Sequence, residues 1–282
     1  MKHYITSALI IFGVLIFSPD TRSQGKGNSA KRYTPPFGVL SLTGGIGLTY
    51  YYGDLNNKIN LKHLGMGPSV SLGALYRVTE HFSARGEFRF YQTSGEQRYS
   101  RYPDNNLSFR TRNPDINLGI QADLFSYNSH ARINPYLFLG AGVTYLNPKA
   151  KLDGKWYSLP PLTTEGVKYS RLPLVITGAI GVSVQAFERL SLGIEMNNNF
   201  VRSDYFDDVS GVFPNPDQLP SDLARRLSDR SSEIGLDPKQ PGWHRGVGTR
   251  NDIFSFVQLR ATYLIGNRMQ ASERKRMRCP KL

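Results

Sequence analysis

The stretch SDYFDDVSG, Ser203 to Gly211, places Asp204, Asp207 and Asp208 within five residues of one another. Clustered carboxylates suit a hard cation such as calcium, which takes several oxygen ligands. The spacing is not that of an EF-hand loop. Asp and Ser beside Gly also cap turns through local side-chain hydrogen bonds, and capping is the preferred reading. Beyond the first segment of the chain, the imidazoles available for acid–base work are His63, His81, His130 and His244. None stands beside a recognisable nucleophile motif, so no triad can be drawn. The expectation is a chain without catalytic residues, metal site or cofactor.

Most of the remaining charged chemistry lies in alternating segments. HFSARGEFRFYQ, residues 81–92, puts Phe82, Ala84, Gly86, Phe88 and Phe90 on one parity, with Ser83, Arg85, Glu87, Arg89 and Tyr91 on the other. Side chains on a strand alternate faces, so the period predicts one uncharged face and one ionic face. Seven further stretches alternate in the same way: VLSLTGGIGLTYYYG, SVSLGALYRV, DINLGIQADLF, INPYLFLGAGVTYL, LVITGAIGVSVQAF, LSLGIEMNNNF and DIFSFVQLRATYLI. Connections between them alternate between short (near TEH, SYNSHAR and ER) and long. That rhythm predicts an all-β, eight-stranded, antiparallel up-and-down transmembrane barrel with long extracellular loops.

Energy decides which parity faces outward. An Arg turned to lipid near the midplane costs about 2 to 4 kcal/mol, and Arg85 and Arg89 would both incur it. Facing inward, Arg85, Glu87 and Arg89 can pair with Asp115, Asp123, Glu195 and Arg260 from other strands, which avoids an isolated buried charge. An eight-stranded barrel is just wide enough for side chains to fill it. Tyr136 and Phe138 beside Gly140 and Gly142 match that space, so no open channel is expected. A soluble lipocalin-like barrel would reverse the faces and need charge over its outer surface; the polar parity here is rich in small residues instead.

The opening MKHYITSALIIFGVLIFSPDTRSQGKG has the layout of a secretory signal peptide. The expected organisation is a signal peptide over residues 1–24, an N-terminal segment over 25–38, the outer-membrane barrel over 39–266 and a basic periplasmic tail over 267–282. Cys279 is the single cysteine, so no intramolecular disulfide framework exists. The net charge of +13 is concentrated partly in NRMQASERKRMRCPKL. In an exported chain such charge suits anionic lipid or an acidic partner, and nucleic acid is not expected. The mean hydropathy of -0.38 agrees with strands of which only alternate residues are apolar.

Four stretches carry a family resemblance: YYYGDL (Tyr50 to Leu55), NLSFRTRNPDINLG (Asn106 to Gly119), YLNPKAKLDGKWYSLPPLTTEG (Tyr145 to Gly166) and SDYFDDVSG. In that order they resemble the PorG-like outer-membrane barrels associated with the type IX secretion system. The resemblance implies a non-catalytic barrel that contacts outer-membrane lipid and a periplasmic secretion ring. It marks Tyr52, Gly53, Asp54, Trp156, Tyr157, Asp204, Asp207 and Asp208 as motif residues open to an interaction. Trp156 and Tyr157 also have the amphipathic rings favoured at a membrane interface. An OmpA-like structural or adhesion barrel, binding through its outer loops, is the alternative.

Overall fold

The computed structural model describes residues 38–56, 65–129, 131–187, 189–248 and 251–266. The expected signal peptide and basic tail lie outside these residues, as do His63, His130 and Cys279. Ten strands follow in chain order: β1 (Leu40–Tyr52), β2 (Gly67–Arg77), β3 (Phe82–Glu96), β4 (Ser108–Asp123), β5 (Ile133–Thr144), a short hairpin of β6 (Lys149–Leu152) and β7 (Lys155–Ser158), then β8 (Leu174–Gln185), β9 (Leu190–Val201) and β10 (Ile253–Gly266). The eight long strands pair antiparallel, each with the next, and β10 returns to β1 with Leu42 opposite Tyr263 and Tyr52 opposite Ile253. Closure leaves the barrel without a free edge.

The period-two pattern fixes which face is which. Ile46, Leu72, Leu118, Leu139 and Leu259 are between 62% and 68% exposed, whereas Arg85, Glu87 and Arg89 are at most 5% exposed. A water-soluble barrel hides its greasy parity; this one displays it on all eight long strands, far beyond the patch a soluble surface tolerates. The exterior is therefore a lipid-facing belt, and the chain is an eight-stranded outer-membrane β-barrel. The short connections, residues 78–81, 124–132 and 186–189, gather at the end that is periplasmic in such barrels, and the long ones gather at the other.

Two features depart from the sequence reading. The long connection expected between HFSARGEFRFYQ and DINLGIQADLF is shorter, because β3 and β4 stay paired as far as Glu96 opposite Ser108. Phe109, Thr111 and Asn113 continue the inward parity while Arg110 and Arg112 continue the outward one, so the ladder runs on above the hydrocarbon. The loop after β5 is not irregular throughout but folds into the β6–β7 hairpin, attached to β4 where Arg110 faces Lys149. Its inward side packs Ala150, Leu152 and Leu159 against Leu227 of helix α1 (Asp222–Ser228). That helix begins at Ser221, whose Oγ accepts a hydrogen bond from Ala224 N at 3.1 Å, a regular N-cap.

Candidate functional site

Inside the barrel three layers succeed one another from the periplasmic end outward. At the periplasmic end lies a cavity of about 260 Å³, with Arg77, Gln121, Ser183, Tyr136 and Arg260 in its walls and floor. Above it the lumen is closed by ion pairs. Glu195 on β9 receives Arg85 through two contacts of 2.7 and 2.9 Å, Arg260 at 3.3 Å and the Tyr136 hydroxyl at 2.8 Å. Glu87 lies 2.7 Å from Arg85 and 2.6 Å from Arg260. Arg89 pairs with Asp115 at 2.5 Å.

The six charged side chains come from β3, β4, β9 and β10, and their three cations match three anions. Asp123, grouped with them on sequence grounds, sits apart. It pairs with Arg77 of β2 at 2.5 Å, near the periplasmic rim, because β4 carries it well below the level of Asp115. Asn117, Thr177, Asn199 and Asn197 then form a hydrogen-bonded chain with steps of 2.7, 2.8 and 2.8 Å that carries the polar filling upward. Rings fit beside these groups where the facing strand has glycine. A Cβ on Gly181 would stand 2.3 Å from the Tyr136 ring, and one on Gly119 would stand 2.8 Å from that of Phe138.

The outer third of the lumen is aromatic, which the sequence reading did not anticipate. Tyr51, Tyr91, Phe254 and Phe256 project inward, and Phe206 descends from the loop between β9 and β10 to stack on Tyr51 at 5.5 Å and on Phe254 at 5.3 Å. The signal was present: these barrel aromatics share the inward parity of Arg89 and Gln258, not the lipid-facing one.

Over this layer the loops form a cap, and the motif residues meet in it. Tyr51 Oη donates to Asp207 and lies 2.9 Å from Asp252 Oδ1, so one phenol bridges two buried carboxylates. Asp252 Oδ2 accepts from Phe206 N at 3.0 Å, and Asp207 Oδ1 accepts from Val209 N at 2.9 Å, a local turn cap. Gly53 is obligatory here: a Cβ would lie 2.0 Å from both Asp252 Oδ1 and the Tyr51 hydroxyl. Asp54 accepts from Val247 N at 2.8 Å, and Asp204 accepts from Ser210 Oγ at 2.8 Å. Asp208 receives the hydroxyls of Thr164 and Tyr169. The buried Arg245 reaches Glu165 at 2.9 Å, the Asp208 carbonyl at 2.6 Å and the Ser228 carbonyl at 3.1 Å, tying two long loops together.

Burial raises the carboxyls of this cap. Asp54 and Asp208 are pushed up to about 6 and Asp204 to about 7, while Asp207 and Asp252, each burdened by neighbouring acids as well, lie well above the usual range. The residues serve as hydrogen-bonded struts within the cap. Asp204, Asp207 and Asp208 point to separate partners, and no group of three or more His, Cys, Asp or Glu among the described residues is arranged to hold a metal ion.

Of the other motif positions, Tyr52 and Tyr157 are half-buried, whereas Trp156 is exposed with the Arg110 guanidinium 4.4 Å from its ring centre. The described histidines lie at opposite ends. His81 contacts the Asp123 carbonyl at 3.0 Å, and His244 stacks with Tyr102 at 6.1 Å.

No protein-family profile matches the chain. No curated protein matches it either. Solved structures of similar fold include Neisserial surface protein A, with 10% identity over 79% of this chain and 96% of that one at a TM-score of 0.44. Ail, the attachment invasion locus protein of Yersinia pestis, shares 12% identity over 81% and 99% at 0.41. A major outer membrane protein from Thermus thermophilus shares 11% over 80% and 98%, also at 0.41. Similarities this distant carry no functional argument, and the assignment to a membrane barrel stands on the strand pairing and the lipid-facing belt above.

Proposed function

We propose that this protein is a non-conducting, non-catalytic outer-membrane anchor for a periplasmic assembly of the type IX secretion kind. The observation that carries the reading is the double closure of the lumen, by the Arg85–Glu87–Glu195–Arg260 cluster and by the Phe206 aromatic layer. A filled barrel has no transport path, so its usable surfaces are the cap, the lipid face and the periplasmic end. The four motif stretches that resemble the PorG-like family support the secretion role specifically. Much of that motif material is structural: Gly53, Asp207 and Asp208 are consumed in building the cap.

Affinity capture of the full-length protein from native membranes tests the proposal. Recovery of periplasmic secretion-ring proteins in stoichiometric amounts is the expected result. Capture of the barrel alone, under conditions that preserve other envelope complexes, overturns it. The adhesion reading has its own support in Trp243, Ile234 and Leu236, which are exposed on the cap. Binding of intact cells to a host or matrix surface, lost in Trp243→Ala, would favour that reading instead.

A further inference from the structure

The outward parity of β4 changes chemistry along its length. From the periplasmic side it reads Ile120, Leu118, Ile116 and Pro114, then Arg112 and Arg110. At about 3.3 Å per residue and a tilt of about 40°, Arg112 stands roughly 10 Å higher than Ile116 along the membrane normal, and Arg110 roughly 15 Å. The interfacial layer adds only about 5 to 8 Å to each side of the hydrocarbon. Pro114 ends the uncharged stripe roughly 5 Å above Ile116, and with the hydrocarbon edge at that level Arg112 lies roughly 5 Å above it, among the headgroups, and Arg110 roughly 10 Å above it, just beyond them.

The neighbouring hairpin enlarges the same face. Lys149 lies opposite Arg110 across the β4–β6 pairing, and Lys151 lies opposite Trp156 across β6–β7. All four cations and the indole are exposed. None of the four takes part in an ion pair among the described residues; Arg112 donates to Gln92 at 2.7 Å and Arg110 lies over Trp156. The nearby Asp153 is engaged by Arg226 at 2.9 Å. The reverse side of the hairpin is held against α1 by Ala150, Leu152 and Leu227, so the cationic side is backed by a packed core.

We infer that Arg110, Arg112, Lys149 and Lys151 form a binding face for the phosphate groups of outer-leaflet lipid. Guanidinium forks match phosphate oxygens two at a time, and lysines add mobile donors. Trp156 suits the boundary at which such headgroups lie. A lipid phosphate is favoured over a soluble one because the face is continuous with the acyl-facing stripe of β4, which would hold the chains of the same molecule. The inference is independent of any periplasmic partner.

The test uses full-length protein in nanodiscs of phosphatidylcholine containing a minor fraction of diphosphorylated lipid A. Lipid retained after gentle detergent extraction and affinity capture is quantified by mass spectrometry. Wild-type protein is expected to enrich lipid A over phosphatidylcholine. The combined variant Arg110→Gln, Arg112→Gln, Lys149→Gln, Lys151→Gln should lose that enrichment by about tenfold or more. Lys168→Gln with Arg202→Gln, exposed cations elsewhere on the long-loop side, should not. Folding of each variant is checked by the heat-dependent gel shift of a closed barrel. Equal enrichment by the folded fourfold variant overturns the inference. So does displacement of lipid A by inorganic pyrophosphate, which would mark a site for soluble phosphate.

Discussion

Glu195 is the residue on which the closed lumen depends most. It neutralises Arg85 and Arg260 at once and accepts from Tyr136. Removing one partner of a buried ion pair costs about 3 to 5 kcal/mol, chiefly because the other charge is stranded. Glu195→Ala should lower the unfolding free energy by that order, read from urea denaturation in lipid vesicles. A loss no larger than that of an exposed control such as Asp217→Ala would show that the cluster is not structural. The ionic parity was plain in the sequence, since Arg85, Glu87 and Arg89 alternate with Phe and Gly. The pairing scheme was not: Asp123 shares the parity of Asp115, and only its level along β4 assigns it to Arg77.

Residue-level titration makes the cap sensitive to pH. The raised carboxyls of Asp54, Asp204 and Asp208, at about 6, 7 and 6, mean that the folded cap holds more protons than the unfolded chain. Their contribution is complete below about pH 4, the ordinary carboxyl value, and is lost as pH rises through 6 to 7. Asp207 and Asp252 extend the loss to higher pH. Arg245 and Arg101 oppose it by favouring the charged forms of Asp208 and Asp54. Amide exchange in residues 203–248 should therefore accelerate between about pH 5 and pH 8 beyond the intrinsic chemical rate, and Asp207→Asn should flatten the trend. A cap whose protection was unchanged or grew over that range would contradict this assignment.

At the scale of elements, the loop between β9 and β10 is held by what it inserts. Phe206 is fully buried among Tyr51, Phe109 and Phe254. Phe206→Ala should cost about 3 to 5 kcal/mol of cap stability. Limited proteolysis should then cut within residues 203–248 while the strands survive; an uncut loop would mean that the cap is secured elsewhere. Between strands, Gly181→Val should push the Tyr136 ring off Glu195 and lower barrel stability, because its Cβ position is already occupied by that ring.

The strands were readable because burial on one face repeats every two residues. The β6–β7 hairpin was less so, with four residues per strand, yet its turn carries a local mark. Asp153 and Gly154 both take positive φ, 49° and 80°, the requirement of a tight hairpin turn that Asp-Gly satisfies. Helix α1 likewise sits inside a stretch whose polarity hid its single inward row of Ala224 and Leu227.

For the whole molecule, closure and parity together determine what the barrel can do. A lumen filled by neutralised charge and stacked rings should give no stable single-channel conductance in planar bilayers at moderate voltage, and steady ohmic openings would contradict it. The fold and membrane setting follow from alternation repeated eight times, with loop lengths giving orientation. The cap was hidden because its contacts join residues such as Tyr51, Asp207 and Asp252, more than 150 positions apart in the extreme pairings, and no local period reports such meetings.

The central claim is that the apolar parity meets lipid while the ionic parity fills the barrel. It is tested most directly by single cysteines placed along β3 from Phe82 to Phe90 in a Cys279→Ser background, spin-labelled in bilayers and probed with oxygen and a water-soluble nickel complex. Labels at 82, 84, 88 and 90 should show high oxygen access and low nickel access, while those at 83, 85, 87 and 89 should be shielded from lipid or prevent folding. Lipid exposure at 85 and 89 with shielding at 88 and 90 would invert the barrel and contradict the account.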